Sequence, residues 1–244
     1  MRLRAYAFFH PTCIALLMMW AVGEAVAEPL TIMYEIRAPY TVMVNHTLTG
    51  LVGDPIANAV KEAGIDVAWQ EIPFKRELRL IESNKIHGCA AGRLRNAARE
   101  KVGKFSAPVY RDKLFVLLVA KGNAKLDAHQ TLTAVLNDPA IHLLVQEGYS
   151  YGEELDPLIT HARAQIVRLP YENTSLARMV VQGQVDAYLM TQEEAEALEH
   201  EMKGALVTKS LADAPPGPIR YLYCSKSVSD DTLERLNRVL PPVK

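Results

Sequence analysis

Cys89-Ala90-Ala91-Gly92-Arg93-Leu94-Arg95-Asn96-Ala97-Ala98-Arg99, followed by Phe105-Ser106-Ala107-Pro108-Val109-Tyr110, is the stretch on which the fold turns. Its small apolar residues read as a strand ending at Gly92, and Arg93-Leu94-Arg95 reads as a basic loop. Asn96 then opens a short helix that carries Arg99 in its first turn. A cation there works against the helix dipole. A guanidinium, however, presents parallel donors that pair bidentately with a carboxylate. Arg99 is therefore either an anion-binding residue or an ordinary surface charge.

Upstream of this stretch, strands and helices alternate. Residues 30–34 read as a strand, and Asp54 with Pro55 behind it reads as the cap of a helix that ends before Gly64. Residues 65–72 form a second predicted strand, 74–83 a helix and 86–92 a third strand. That βαβαβ order implies a parallel sheet with helices on its faces. Downstream, residues 114–120 make an apolar run suited to a buried strand. Further strands follow at 141–145, 166–169 and 185–190, with helices at 129–136, after Ser150, at 175–182 and at 191–203. A last strand at 219–224 and a helix at 231–240 complete the chain.

Bulk properties narrow the function. The 244 residues suffice for one large or two small domains, and the formal net charge of −1 offers no partner surface for nucleic acid. Arg2 and Arg4, an apolar run over residues 14–22 and the Ala25-Val26-Ala27 ending match a secretory signal peptide over residues 1–27. The exported chain then keeps Cys89 and Cys224, either as a disulfide or as two buried thiols. No Cys/His group has metal-ligand spacing, and no phosphate loop or nucleophile elbow appears, so neither cofactor nor metal is expected. Glu35 and His87 could serve as acid and base only if the fold joined them, and nothing in the sequence does.

In their order and spacing, several motifs resemble solute-binding protein family 3, the periplasmic receptors of amino-acid-type ABC importers. The opening glycine, the arginine seven residues on and Phe105-Ser106-Ala107-Pro108-Val109-Tyr110 carry this resemblance. So do Arg37-Ala38-Pro39-Tyr40, the run from Leu48 to Asp54, Pro73-Phe74-Lys75-Arg76, Gly148-Tyr149-Ser150 and Gln182-Gly183-Gln184-Val185-Asp186-Ala187. The resemblance implies an α/β, two-lobed periplasmic-binding-protein fold of type II, with mixed, mainly parallel sheets and two hinge crossovers. Lobe one would take residues 28–113 and 219–244, and lobe two 114–218. It implies further that the strands bearing Cys89 and Cys224 are neighbours.

The same resemblance implies that Arg99 grips a ligand carboxylate, with Gly92 beside it. Ser150 opens a predicted helix as the first residue of a capping box, and a free helix N-terminus also attracts anions. Tyr40, Phe74, Tyr149 and Tyr151 are candidate aromatic walls, and Asp186 is a structural support. Thr191 heads a second capping box with Glu194. The departures concern the ligand. Thr191 stands where such receptors carry the aspartate that holds an α-ammonium, Leu94 and Asn96 replace threonines, and Arg37 replaces a stacking aromatic. The expected function is a periplasmic, monomeric solute-binding protein that closes around a small carboxylate-bearing or amino-acid-like solute for a membrane permease. An enzyme on the same fold, similar to cyclohexadienyl dehydratases, and a sensory or accessory receptor are the alternatives.

Overall fold

The computed structural model describes residues 28–243, and the expected signal peptide at 1–27 lies outside the described residues. The first part of the chain contributes β1 (Leu30–Tyr34), the hairpin strands β2 (Val42–Val44) and β3 (Thr47–Thr49), α1 (Gly53–Glu62), β4 (Val67–Glu71), α2 (Phe74–Glu82), β5 (Gly88–Leu94), α3 (Ala97–Val102), β6 (Lys104–Phe105) and β7 (Tyr110–Arg111). Then come β8 (Phe115–Ala120), α4 (Leu132–Asn137), β9 (His142–Gln146), α5 (Leu155–Thr160), β10 (Gln165–Leu169), α6 (Asn173–Val181), β11 (Ala187–Thr191), α7 (Gln192–Glu201) and β12 (Leu206–Lys209). Finally, β13 (Ile219–Cys224) and α8 (Asp230–Val239) follow.

These strands build two sheets. The first has the order β4-β1-β5-β13-β6, with β7 also on β13, and the second has the order β10-β9-β11-β8-β12. In the first, β4, β1 and β5 run parallel and β13 returns antiparallel against β5. In the second, β10, β9 and β11 are parallel, while β8 is antiparallel to β11 and β12. The chain crosses between sheets at residues 112–114 and again at 210–218. This is the two-lobed α/β arrangement, with the last strand and helix returned to the first lobe.

Alternate residues of each central strand feed opposite core layers, as strand geometry requires. Ile32 and Cys89 join α1 and α8 residues such as Ile56 and Leu236 on one face of the first sheet. Met33 and Ala90 meet Ile81 of α2 on the other. Leu143 and Leu189 pack with α4 and α5, whereas Leu144 and Tyr188 pack with α6 and α7. Both sheets are thus covered on both faces, which explains the near-continuous apolar runs of β8 and β11. Cys89 and Cys224 lie directly opposite each other across β5 and β13 and form a disulfide.

Several local expectations are corrected. Helix α1 begins at Gly53 behind Val52, so Asp54 lies inside its first turn rather than capping it. The basic stretch after Gly92 is not a loop at its start, because β5 continues through Arg93 to Leu94. Gly92 permits this, with φ of +69° where opposite residues Tyr221/Arg93 and Tyr223/Ala90 leave β5 one residue longer than its partner. Such a bulge re-aims the strand end. The β2–β3 hairpin escaped the sequence reading; Asn45 and His46 both take positive φ at its turn, as a primed turn demands.

Candidate functional site

The carboxyl ends of the parallel strands in both lobes face one another, and a narrow cleft, partly open to solvent, lies between them. Beyond β1 the first lobe presents Arg37. The end of β5 presents Arg93 and Leu94, α2 presents Phe74, and α3 presents Arg99. The second lobe answers with Tyr149, Ser150 and Tyr151 after β9, and with Thr191 and Glu194 after β11. Ligand sites of open α/β sheets sit in this position because strand ends and the loops after them converge there.

Arg99 is positioned by its helix. The Asn96 side chain accepts the Arg99 backbone N–H at 2.9 Å, capping α3 as the sequence implied. Arg99 as a whole is 8% exposed, and its Nη1 donates to the Leu94 carbonyl at 2.7 Å. No carboxylate pairs with it among the described residues. Burial, reinforced by the nearby Arg93 charge, lowers its pKa. A buried cation in that state is relieved by an anion.

The remaining cleft arginines have partners. Arg93 donates through Nε to Glu77 Oε2 at 2.9 Å and through Nη2 to the same oxygen, both side chains being buried. Burial raises the Glu77 pKa despite that neighbour. Arg220, at the start of β13, donates to Asp112 Oδ1 of the first crossover at 2.7 Å, and its guanidinium carbon lies 3.7 Å from the Tyr40 ring centroid. Arg37 pairs with Glu194 of the opposite lobe. Burial alone would raise the Glu194 pKa, but the Arg37 charge and hydrogen bond outweigh it and hold the carboxyl below its usual value. Arg95, the other arginine of that basic stretch, is exposed and pairs with Glu100.

Aromatic groups join the lobes. Phe74 stacks on Tyr149 with centroids 4.4 Å apart, Arg93 lies 4.7 Å from the Phe74 centroid, and Arg37 lies 4.3 Å from that of Tyr149. The Tyr149 hydroxyl donates to Glu35 at 2.6 Å, and burial pushes its pKa up to about 12. Tyr151 is buried, its hydroxyl accepting the Gln146 backbone N–H at 2.8 Å. Further bonds across the cleft are Tyr40 to Thr191 at 2.7 Å and Tyr110 to Glu193 at 2.9 Å.

The structure therefore gathers Arg37, Phe74, Gly92, Arg99, Tyr149, Ser150, Tyr151 and Thr191 around one cleft, whereas Tyr40 sits behind it against Arg220. Two expectations fail in detail. Ser150 caps no helix, because α5 begins only at Leu155; its hydroxyl donates to Asp156 Oδ2 at 2.6 Å, and the intervening Gly152 (φ +96°) bends the chain. Thr191 does precede α7, but its hydroxyl bonds the Glu194 carboxylate at 3.1 Å instead of a backbone N–H. Asp186 is structural as expected, accepting Lys125 Nζ at 2.6 Å and the His142 N–H at 2.7 Å. Sequence reading missed the cleft positions of Glu194, Tyr188 and Arg220. Only Glu194 left a trace, three residues after Thr191. Among the described residues, no cluster of side chains could hold a metal, and no helix is long and apolar enough to cross a membrane.

The sequence pattern of the bacterial extracellular solute-binding proteins, family 3, matches residues 30–240. The chain belongs to this family. No curated protein sequence matches it. Among solved family-like structures, an arginine-, lysine-, histidine-binding protein from Geobacillus stearothermophilus superposes with a TM-score of 0.69 at 18% identity, covering 87% of this chain and 88% of that one. An amino acid ABC transporter substrate-binding protein from Streptococcus pneumoniae, bound to L-arginine, gives 0.67 at 20% identity, covering 87% and 86%. An ancestral arginine-binding protein bound to arginine gives 0.68 at 21% identity, with 87% and 90% covered. At these identities the likeness is one of fold. Membership in family 3 gives the chain a solute-binding role.

Proposed function

We propose that this family 3 protein is a periplasmic receptor, exported through a signal peptide ending at Ala27, that delivers a small carboxylate-bearing solute to an ABC-type permease. The observation that carries the ligand class is Arg99, buried at the cleft without a carboxylate partner among the described residues. Arg37, Arg93 and Arg220 are neutralised by Glu194, Glu77 and Asp112, so the unmatched charge of the cleft wall resides on Arg99. Phe115, Tyr151 and Pro218 add apolar surface to the same cleft, suited to the body of such a solute. Lobe closure supplies the mechanism: a solute that contacts both walls binds the closed state better and shifts the population toward it.

The test is calorimetry or thermal shift with matched carboxylic acids, amines and amino acids on wild type and Arg99→Ala. Acids should bind wild type and lose affinity in the variant. Equal binding by both proteins would show that Arg99 does not hold the solute. N-terminal sequencing of the exported protein should begin at Glu28.

A further inference from the structure

We propose that Arg37 is a built-in occupant of a cation subsite on the second lobe, which makes it the residue that bars ammonium- and guanidinium-bearing solutes from the cleft. This rests on the reading of the cleft as the solute site. Its evidence is the environment of the Arg37 guanidinium, which is assembled from the opposite lobe. Glu194 accepts the Arg37 Nε–H, and the Tyr149 ring lies 4.3 Å beneath the guanidinium carbon. Glu194 is itself held in place: Asn173 Nδ2 donates to its Oε1 at 2.9 Å and the Thr191 hydroxyl donates to its Oε2 at 3.1 Å. A buried carboxylate fixed by two hydrogen bonds beside an aromatic face is a receptor for a flat organic cation. Here the cation is a side chain of the protein's own first lobe.

Two consequences follow from that occupancy. Among the described residues Glu194 is the one acid lining this cleft, and its carboxylate oxygens are already used by Arg37, Asn173 and Thr191. An incoming ammonium or guanidinium finds no free counter-charge there and must displace Arg37 to reach it. In addition, the Arg37–Glu194 pair spans the lobes, so it favours the closed arrangement whether or not a solute is present. Specificity here is a repulsive device: the wrong ligand meets a cation where it would place its own.

All four groups that form the subsite, Glu194, Tyr149, Asn173 and Thr191, belong to the second lobe, so removing Arg37 leaves them together even if the lobes part. The experiment uses methylguanidinium chloride as the probe, with sodium chloride at matched ionic strength as the control. Calorimetric titration and thermal unfolding are followed for wild type, Arg37→Ala and Arg37→Ala/Glu194→Gln. Arg37→Ala should bind methylguanidinium about tenfold or more tightly than wild type, the equivalent of about 1.4 kcal/mol, and the probe should raise its Tm. The double variant should lose both effects. If Arg37→Ala is too poorly folded for titration, Arg37→Gln takes its place with the same expected order. Equal methylguanidinium binding by wild type and the Arg37 variant, or an unchanged gain in the double variant, overturns the proposal. The probe has no carboxylate, so this outcome is independent of whether Arg99 binds anions.

Discussion

Replacing Arg99 by Met separates the site's two roles, because it should weaken solute binding without weakening the fold. The binding side follows from the loss of a buried, charge-assisted contact, which costs about 2–5 kcal/mol. At about 1.4 kcal/mol per decade this is roughly a 30-fold to several-thousand-fold loss of affinity for a carboxylate. The folding side has two opposing parts. The variant gives up the Nη1 hydrogen bond to the Leu94 carbonyl, about 1.5–3 kcal/mol for a charged donor. It also stops burying a guanidinium that has no counter-charge, and the penalty for such an ion is several kcal/mol even after relaxation. Methionine keeps most of the apolar bulk near Phe74, whose ring centroid lies 5.9 Å from the Arg99 guanidinium carbon. Solute-free Arg99→Met should therefore unfold at the wild-type temperature or above it. Differential scanning calorimetry of the solute-free proteins and titration of a bound acid measure the two effects separately. A Tm more than about 4 °C below wild type, roughly 1–2 kcal/mol for a chain of this size, together with undiminished acid binding would refute the reasoning. Arg99 would then be a structural pin.

Reduction of the Cys89–Cys224 bond, or Cys89→Ala with Cys224→Ala, frees a separation of 135 residues and should destabilise by about 2–5 kcal/mol, read as a lower denaturation midpoint with dithiothreitol. At Gly217, a Cβ would collide with the carbonyl oxygens of Asp112 and Lys113 in the neighbouring crossover. Gly217→Ala should therefore lower stability by about 1–3 kcal/mol and alter lobe closure measured by small-angle scattering. The depressed Glu194 carboxyl contributes stability that is fully present above its unfolded pKa of about 4.3 and is lost as pH falls through its lower folded value. Urea titrations at neutral pH and at pH below about 4 should show this acid-dependent loss, and Arg37→Ala should reduce it.

The sheet strands were legible because their signals are local and long. Leu30–Tyr34 and Ile219–Cys224 emerge with the bounds read from their apolar runs. Short strands were not: Tyr110–Arg111 and Lys104–Phe105 carry too few residues for any periodicity, and their pairing with β13 is a tertiary matter. The motif around Arg99 gave its helix, its cap and its place at the cleft. Helix starts after β9 were misread because Ser150 satisfies a capping pattern that Gly152 and Asp156 divert into a turn. Partnership was least legible of all. That Arg93 meets Glu77, Arg220 meets Asp112 and Arg37 meets Glu194 depends on separations of 16, 108 and 157 residues, which no local pattern encodes.

The second sheet takes in the chain at Phe115 and lets it go at Lys209, and β8 and β12 are hydrogen-bonded neighbours with Lys209 opposite Leu117. Opposed residues of an antiparallel pair sit about 4.5–5.5 Å apart at Cα, so both ends of this half of the molecule emerge side by side. Residues 115–209 are in this sense a cassette: a short peptide could seal the gap left by excising them, and a foreign insert with adjacent ends could be spliced in their place. The cassette carries Tyr149, Thr191, Asn173 and Glu194, whereas Arg37 and Arg99 stay with the remainder. Exchange of the cassette between relatives would thus re-deal one wall of the cleft in a single genetic event while leaving the anion-facing wall untouched.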